Sequence, residues 1–499
     1  MEEGGANAND RTYAGEQGEE LLTGAMEVSP NGHFVVMQRN TITVILDIQK
    51  SAYIELPVQF ARVAMSKNED VGYAILMTGE LVAIDLATGV ERWRDSNPYA
   101  GASILKLTDD DKSLVAVIGN YATVIDPATG KQRVTTILDG VATFGALLQK
   151  SNKVAIVGET SWPEHKPSTP VSLMDLETGD VVSVAIPNCE APITALADER
   201  RLLISPTFCE EGRASDPDDK WTNPDPVSVL DISEAGELTF LKNLPGFGPV
   251  ALSPDGARAV AYLDTTRVDA SMFDDKSLIP KADGPQYHLM VIEPKSLAYT
   301  VTAIGDGLPR FAMSRDGKDL LVDSSVKVIT RAEASASASI SLGPTGISGE
   351  IDADVSVFQE NTPFGKFDLE TLTFTGFTGP QAGLDRFVQL GDMKSVVTLQ
   401  KREDGLGGIP FMIDLDANLT VQLTGNYGTG VRDVGLLPDG KTILLRFRQA
   451  AAQIGTQLFA RETYCLSLDA LTCASGQIEY QASVSFASVE TNDCGHDCF

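Results

Sequence analysis

Short, mostly apolar runs, each closed by an acid (in one case Ser467) and a short polar turn, recur along the chain. The series is VILDIQKSAYIEL, VAIDLATGVERW, TVIDPATGKQRV, SLMDLETGDVVS, SVLDISEAGELTF, MVIEPKSLAYTV, GKFDLETLTFTG, FMIDLDANLTVQ and YCLSLDALTCAS. Runs this short, rich in Val, Ile and Leu and punctuated by turn residues, predict strands. The closing positions are Asp47, Asp85, Asp126, Asp175, Asp231, Glu293, Asp368, Asp414 and Ser467, 38 to 75 residues apart. A second mark falls between them: SPNG (29–32), SKNED (66–70), TDDDKS (108–113), SPDG (253–256), SRDG (314–317) and LPDG (437–440), each followed by apolar residues such as HFVVMQ or KTILLRF. Pro-Asp-Gly and Asn-Gly set up tight turns. Each unit therefore reads as strand, turn, strand, loop, strand, Asp-x-x-Thr-Gly turn, strand. In that last turn the Asp accepts backbone N–H bonds and the Gly takes positive φ.

Nine such units predict an all-β fold: a single large β-propeller of four-stranded blades, eight or nine in number, whose sheets bury their faces against their neighbours. The units resemble the YVTN and WD40-like propeller repeats. GELVAIDLATGVERW (79–93) is similar to a repeat of the quinoprotein (PQQ-type) propellers, with Trp93 in the docking-tryptophan position. The resemblance implies architecture over residues 20 to 485. A quinone-dependent dehydrogenase would, by the same resemblance, add a calcium site, a catalytic carboxylate, in many members adjacent cysteines, and the tryptophan repeated around the ring. Only one unit here carries that tryptophan. The expected division is an acidic N-terminal segment (1–20), the propeller (21–487) and a C-terminal tail with a Cys pair (488–499). No Pro/Gly/Ser-rich linker divides the middle into two rings.

Charge narrows the partners. A formal net charge of −30 repels phosphate backbones and anionic headgroups, which argues against nucleic acid and membrane-surface partners. No apolar run of about 18 residues is present to span a bilayer. MEEGGANANDRTYAGEQGEE opens the chain without a charged-then-apolar leader; it reads as a tether, or as the start of a mature chain whose leader was removed.

Six cysteines fall into three local pairs, Cys189 with Cys209, Cys465 with Cys473 and Cys494 with Cys498, a pattern that favours disulfides and an extracytoplasmic setting, whether secreted, periplasmic or at the cell surface. In YCLSLDALTC a hairpin would place Cys465 opposite Cys473. CGHDC offers a metal-binding alternative with His496 as third ligand, but lacks the second cluster usual for zinc.

The repeat is interrupted by four insertions: 160–170, 208–226, 263–287 and 330–365. Asp216, Asp218, Asp219 and Asp225 set hard oxygen donors at the short spacing calcium takes, outside the EF-hand pattern; the more ordinary reading is a solvated loop. Trp162 and Trp221 are candidate partner anchors, or loop residues packed on each other. ASASASISL and ISGEIDADVSVF alternate with a period near two and read as strand, either paired within their own blade or forming an extra hairpin whose edge another chain could extend.

Histidines number four, His33, His165, His288 and His496, and they are scattered. Phosphate loops, Gly-x-Ser-x-Gly elbows, His-Glu-x-x-His helices and haem motifs are missing, and no residue is assigned as catalytic or cofactor-binding. The expected function is a non-catalytic module that binds protein or glycan through insertion loops or an edge strand. The alternative is a propeller hydrolase or quinone-type dehydrogenase using carboxylates at the channel mouth, drawn from acids such as Asp306, Glu403 and Asp404.

Overall fold

The computed structural model describes residues 26–206 and 226–326, short breaks aside, and strands and turns within 340–480. Strands run from β1 (Met26–Val28) to β39 (Gln477–Tyr480), and short 3-10 turns are the only helical residues among those described. Seven separate antiparallel sheets have four strands each, at residues 26–56, 60–95, 102–137, 142–186, 193–244, 247–305 and 308–376. We number them sheets 1 to 7. An eighth four-stranded unit (384–422) and three strands of a ninth (431–467) share one ladder through a single pairing, Gly408 with Val431. The nine recurrent runs of the sequence, eight closed by an acid and one by Ser467, are the third strands of these nine units.

Central strands are buried on both faces, as in Val71–Leu76 and Ala259–Asp264. That explains their continuous apolar runs. Outermost strands alternate instead, as in Gln132–Ile137. Six core clusters each belong to two successive sheets. Val71, Tyr73 and Leu81 of sheet 2 meet Leu105, Leu114 and Ile125 of sheet 3; Val115 and Val124 meet Val154 and Met174 of sheet 4. The same holds between sheets 4 and 5, 5 and 6, 6 and 7, and 1 and 2. Sheet 1 also buries its other face, at Val35, Met37 and Val44, so the stack shows no bare end there. First strands of sheets 2 to 7 neighbour one another in order. Flat sheets stacked in series around neighbouring first strands make the chain a β-propeller.

Most first strands slip register near their start, between Phe60 and Arg62, Ala142 and Phe144, Leu384 and Arg386, and Val431 and Asp433, with the same slip opposite Val117 and Ile118 in sheet 3. An added residue opens the ladder and sharpens the local twist. In sheet 4 the added residue closes it again, because Thr143 Oγ1 donates to Val157 O at 3.1 Å.

One rim is knitted together. In the Asp-x-x-Thr-Gly turns, Asp85 Oδ1 accepts from Thr88 N (3.0 Å) and Asp175 Oδ1 from Thr178 N (3.0 Å), while Gly89, Gly130 and Gly179 have φ of 71°, 71° and 78°. Each glycine lies against the fourth strand of the preceding sheet. A Cβ on Gly89 would strike Ile54, one on Gly130 would lie 2.6 Å from Trp93, and one on Gly179 would overlap Val134. Trp93 completes its seat by donating Nε1–H to Pro127 O at 2.8 Å. The docking position assigned to Trp93 is thus a general seat, filled by aliphatic residues in the adjoining sheets.

The turns between first and second strands are joined in the same direction. Asn31 Nδ2 donates to Asp70 Oδ1 (3.0 Å), Ser66 Oγ to Asp111 Oδ2 (2.7 Å), Asp109 N to Gln149 Oε1 (3.0 Å), and Lys150 N to Glu199 Oε1 (2.9 Å). Farther round, Gly256 faces Ala197 and Gly317 faces Pro254. A buried hydroxyl anchors most of these turns: Ser253 Oγ donates to Asp255 Oδ1 (2.6 Å) and accepts from Arg258 N (2.9 Å), and Ser29, Thr108 and Ser314 repeat the arrangement.

Candidate functional site: the insertion rim

In a four-stranded meander the first and third turns lie at one end, and the second connection leaves from the other, together with the link to the next sheet. The topology therefore sends every second-to-third strand connection to the rim opposite the knitted one. These connections are tight in sheets 1 to 3 (40–41, 77–80, 119–120). They lengthen to 159–168, 205–226, 265–286 and 327–363 in sheets 4 to 7. All four insertions of the sequence thus emerge from one rim, in four consecutive sheets. Long loops on a rigid frame are where binding surfaces are usually built.

The first insertion is held by hydroxyls. Thr160 Oγ1 and Thr169 Oγ1 are 2.8 Å apart, Thr169 Oγ1 donates to Asn188 O at 2.5 Å, and Glu190 N donates to Thr160 Oγ1 at 2.8 Å. Ser161 and Ser168 exchange backbone bonds. At the tip, Pro163–His165 forms a 3-10 turn in which Glu164 has a left-handed backbone, φ 52°. Trp162 is half-buried and engaged within the chain, so part of this aromatic surface is already committed.

Asn188, only 1% exposed, latches the link between sheets 4 and 5. Its Nδ2 donates to Pro226 O (2.7 Å) and Ser228 Oγ (2.9 Å), and its Oδ1 accepts from Cys189 N (3.0 Å). Cys189 is buried and disulfide-bonded. Cys209 lies outside the described residues, as do Asp216, Asp218, Asp219, Trp221 and Asp225.

The 265–286 insertion folds back over the outer strands. Phe273 meets Tyr299 edge-on at 6.2 Å, and Lys242 pairs with Asp274 at 2.6 Å. Two more of its acids are occupied as caps, Asp269 accepting from Ser271 N and Asp275 from Ser277 N, bonds that hold both carboxyls below the ordinary aspartate range. In the 327–363 insertion, Ile340–Gly343 and Gly346–Gly349 pair with each other and with no other strand among the described residues, as in the extra-hairpin reading.

Buried polar atoms on this rim without a hydrogen-bond partner among the described residues include Ser205 Oγ, just beyond the second strand of sheet 5, and His288 Nδ1, near the start of the third strand of sheet 6. Burial keeps His288 below the usual histidine range, hence neutral at physiological pH. Neither position carries a local sequence signal, because both are defined by the seam between sheets.

The remaining expectations fall as follows. His33 lies on the knitted rim, its Nδ1 3.3 Å from Asp70 Oδ1. Asp306, Glu403, Asp404, Cys494, His496 and Cys498 are outside the described residues. The pairing expected between Cys465 and Cys473 concerns side chains outside the described residues. In the ladders, Cys465 lies opposite Leu444 and Cys473 opposite Ile478. No group of three or more His, Cys, Asp or Glu is placed to hold a metal among the described residues, and no described helix is long and apolar enough to cross a membrane.

No family model matches the chain, and no curated protein matches it. Among solved structures, the Kuenenia stuttgartiensis hydrazine synthase is similar at a TM-score of 0.38 and 13% identity, over 62% of this chain and 93% of that one. A chain of a mitotic checkpoint complex is similar at a TM-score of 0.35 and 15% identity, over 47% of this chain and 72% of that one.

Proposed function

We propose that the protein is an extracytoplasmic propeller that binds a protein or glycan partner through its insertion rim. The carrying observation is that four consecutive sheets send their long connections to one rim while the other rim is closed by turns. The acids of the knitted rim support a structural role for that side. Asp85, Asp175 and Asp368 are each occupied by turn N–H bonds, and Asp47, Asp85 and Asp175 are also ion-paired with Lys50, Arg92 and Lys153. The disulfide at Cys189 fits an oxidising compartment.

The test is photo-crosslinking in the native source, with a photoreactive side chain placed at residue 164 on the insertion rim or at residue 128 on the knitted rim. Discrete, reproducible adducts from position 164 and none above background from 128 support the reading. Adducts from 128 alone overturn it.

A further inference from the structure

We propose that sheets 2 and 3 carry, on this same rim, a docking surface for a protein segment that presents apolar side chains among lysines and arginines. The inference rests on the rim-binding reading above but uses residues outside the four insertions. Three of the large apolar side chains that are exposed among the described residues gather there, Tyr121 (51% exposed), Ile137 (64%) and Val141 (48%), and a fourth, Met77 (55%), lies on the same rim in sheet 2. Tyr121 and Ile137 are directly opposed in the ladder, so their Cβ atoms stand about 5 Å apart. Val141 belongs to the link that folds back onto the Tyr121 hairpin, where Leu138 N donates to Asn120 O (2.8 Å) and Ala142 N to Gly119 O (2.7 Å). Met77 occupies the matching connection of sheet 2.

Apolar residues scattered singly on a surface need no explanation, whereas a contiguous group at a strand-connecting corner points to a partner. A tyrosine beside an aliphatic side chain is a common anchor composition at interfaces.

Charge selects the occupant. Asp139 stands between Ile137 and Val141, and Glu159 donates its backbone N–H to Val141 O at 2.6 Å. Both carboxylates are exposed, and neither has an ion-pair partner among the described residues. Exposed Glu164 lies farther along the same connection, with Lys166 as the neighbouring cation. A negative border around an apolar centre repels a second copy of a chain bearing −30 charges, the acidic 1–20 segment and anionic lipid alike. It complements a basic, apolar protein surface.

The probe is a randomised peptide library displayed on phage and selected against the full-length protein. Enriched peptides are expected to combine Leu, Phe or Trp with Lys or Arg and to bind more weakly as salt rises. Ile137→Glu and Tyr121→Ser should each weaken the best peptide about tenfold or more, and Asp139→Lys should weaken it further at low salt. Because both anchors are exposed, the melting temperature of these variants should match that of the unaltered protein; Ile137→Ser provides a milder second variant. Enrichment of acidic peptides, binding indifferent to Ile137→Glu and Ile137→Ser, or firm binding to phosphatidylserine vesicles would each overturn the surface. Replacing 160–168 by a Gly-Ser linker separates the two proposals. Binding lost there but kept in Ile137→Glu sinks this surface and leaves the broader rim reading standing.

Discussion

Gly130 and Gly119 both have a left-handed backbone, φ 71° and 55°, yet a Cβ on Gly130 would lie 2.6 Å from Trp93, whereas one on Gly119 would meet nothing within 4 Å. The first is on the knitted rim, the second on the insertion rim. On one rim a turn is shaped by its own chain and by the sheet before it. At Gly119, on the other, no neighbouring sheet presses on the turn, which leaves room for insertion and exchange. The same four-strand unit therefore supplies a constrained side that joins sheets and an unconstrained side that carries loops.

Gly130→Val should give the largest loss. Left-handed strain and overlap with Trp93 together cost about 3 kcal/mol or more, read as a lower urea midpoint with an unchanged slope. A neutral result would break the contrast at its strongest point. Ser253→Ala comes next, at about 1–2 kcal/mol, because the Arg258 N–H loses its buried acceptor. Ser253→Thr should come close to neutral, since Thr108 already fills the equivalent place in sheet 3. Gly119→Ala should cost only about 1 kcal/mol, the conformational part alone; a loss matching that of Gly130→Ala would erase the distinction between rims.

The smallest effect is expected at Asp110. Hydrogen bonds and charge from Lys112, with a bond from Thr108, bring its carboxyl down to about 2 from 3.8. A depressed folded value stabilises above the unfolded one, so the contribution is present at neutral pH and fades as pH falls from about 4 to 2. The group is exposed and screened, so Asp110→Asn should cost a few tenths of a kcal/mol at pH 7 and nothing below pH 2. Paired urea titrations at pH 7 and pH 2 measure the difference.

The knitted rim was legible because its chemistry is local. Asp85, Thr88 and Gly89 specify a turn by themselves, and Ser253, Pro254, Asp255 and Gly256 specify another. What those turns touch was not legible. The seat of Gly179 on Val134, the bond from Ser66 to Asp111 and the latch at Asn188 each require the adjoining sheet to be in place. The inner-strand register slips were hidden for a related reason, since a bulge is a property of two strands and the sequence displays one at a time. Tyr121 and Ile137 lie in otherwise ordinary strand sequence, and only their pairing reveals them as neighbours.

The seats of the knitted rim also have a polarity. Gly89, Gly130 and Gly179 rest on the sheet that precedes them in the chain, and Gly256 and Gly317 follow the same rule. As the polypeptide leaves the ribosome, every new sheet of this series meets a template that has already been synthesised. Assembly can then advance sheet by sheet in the order of translation, without waiting for the C-terminal end.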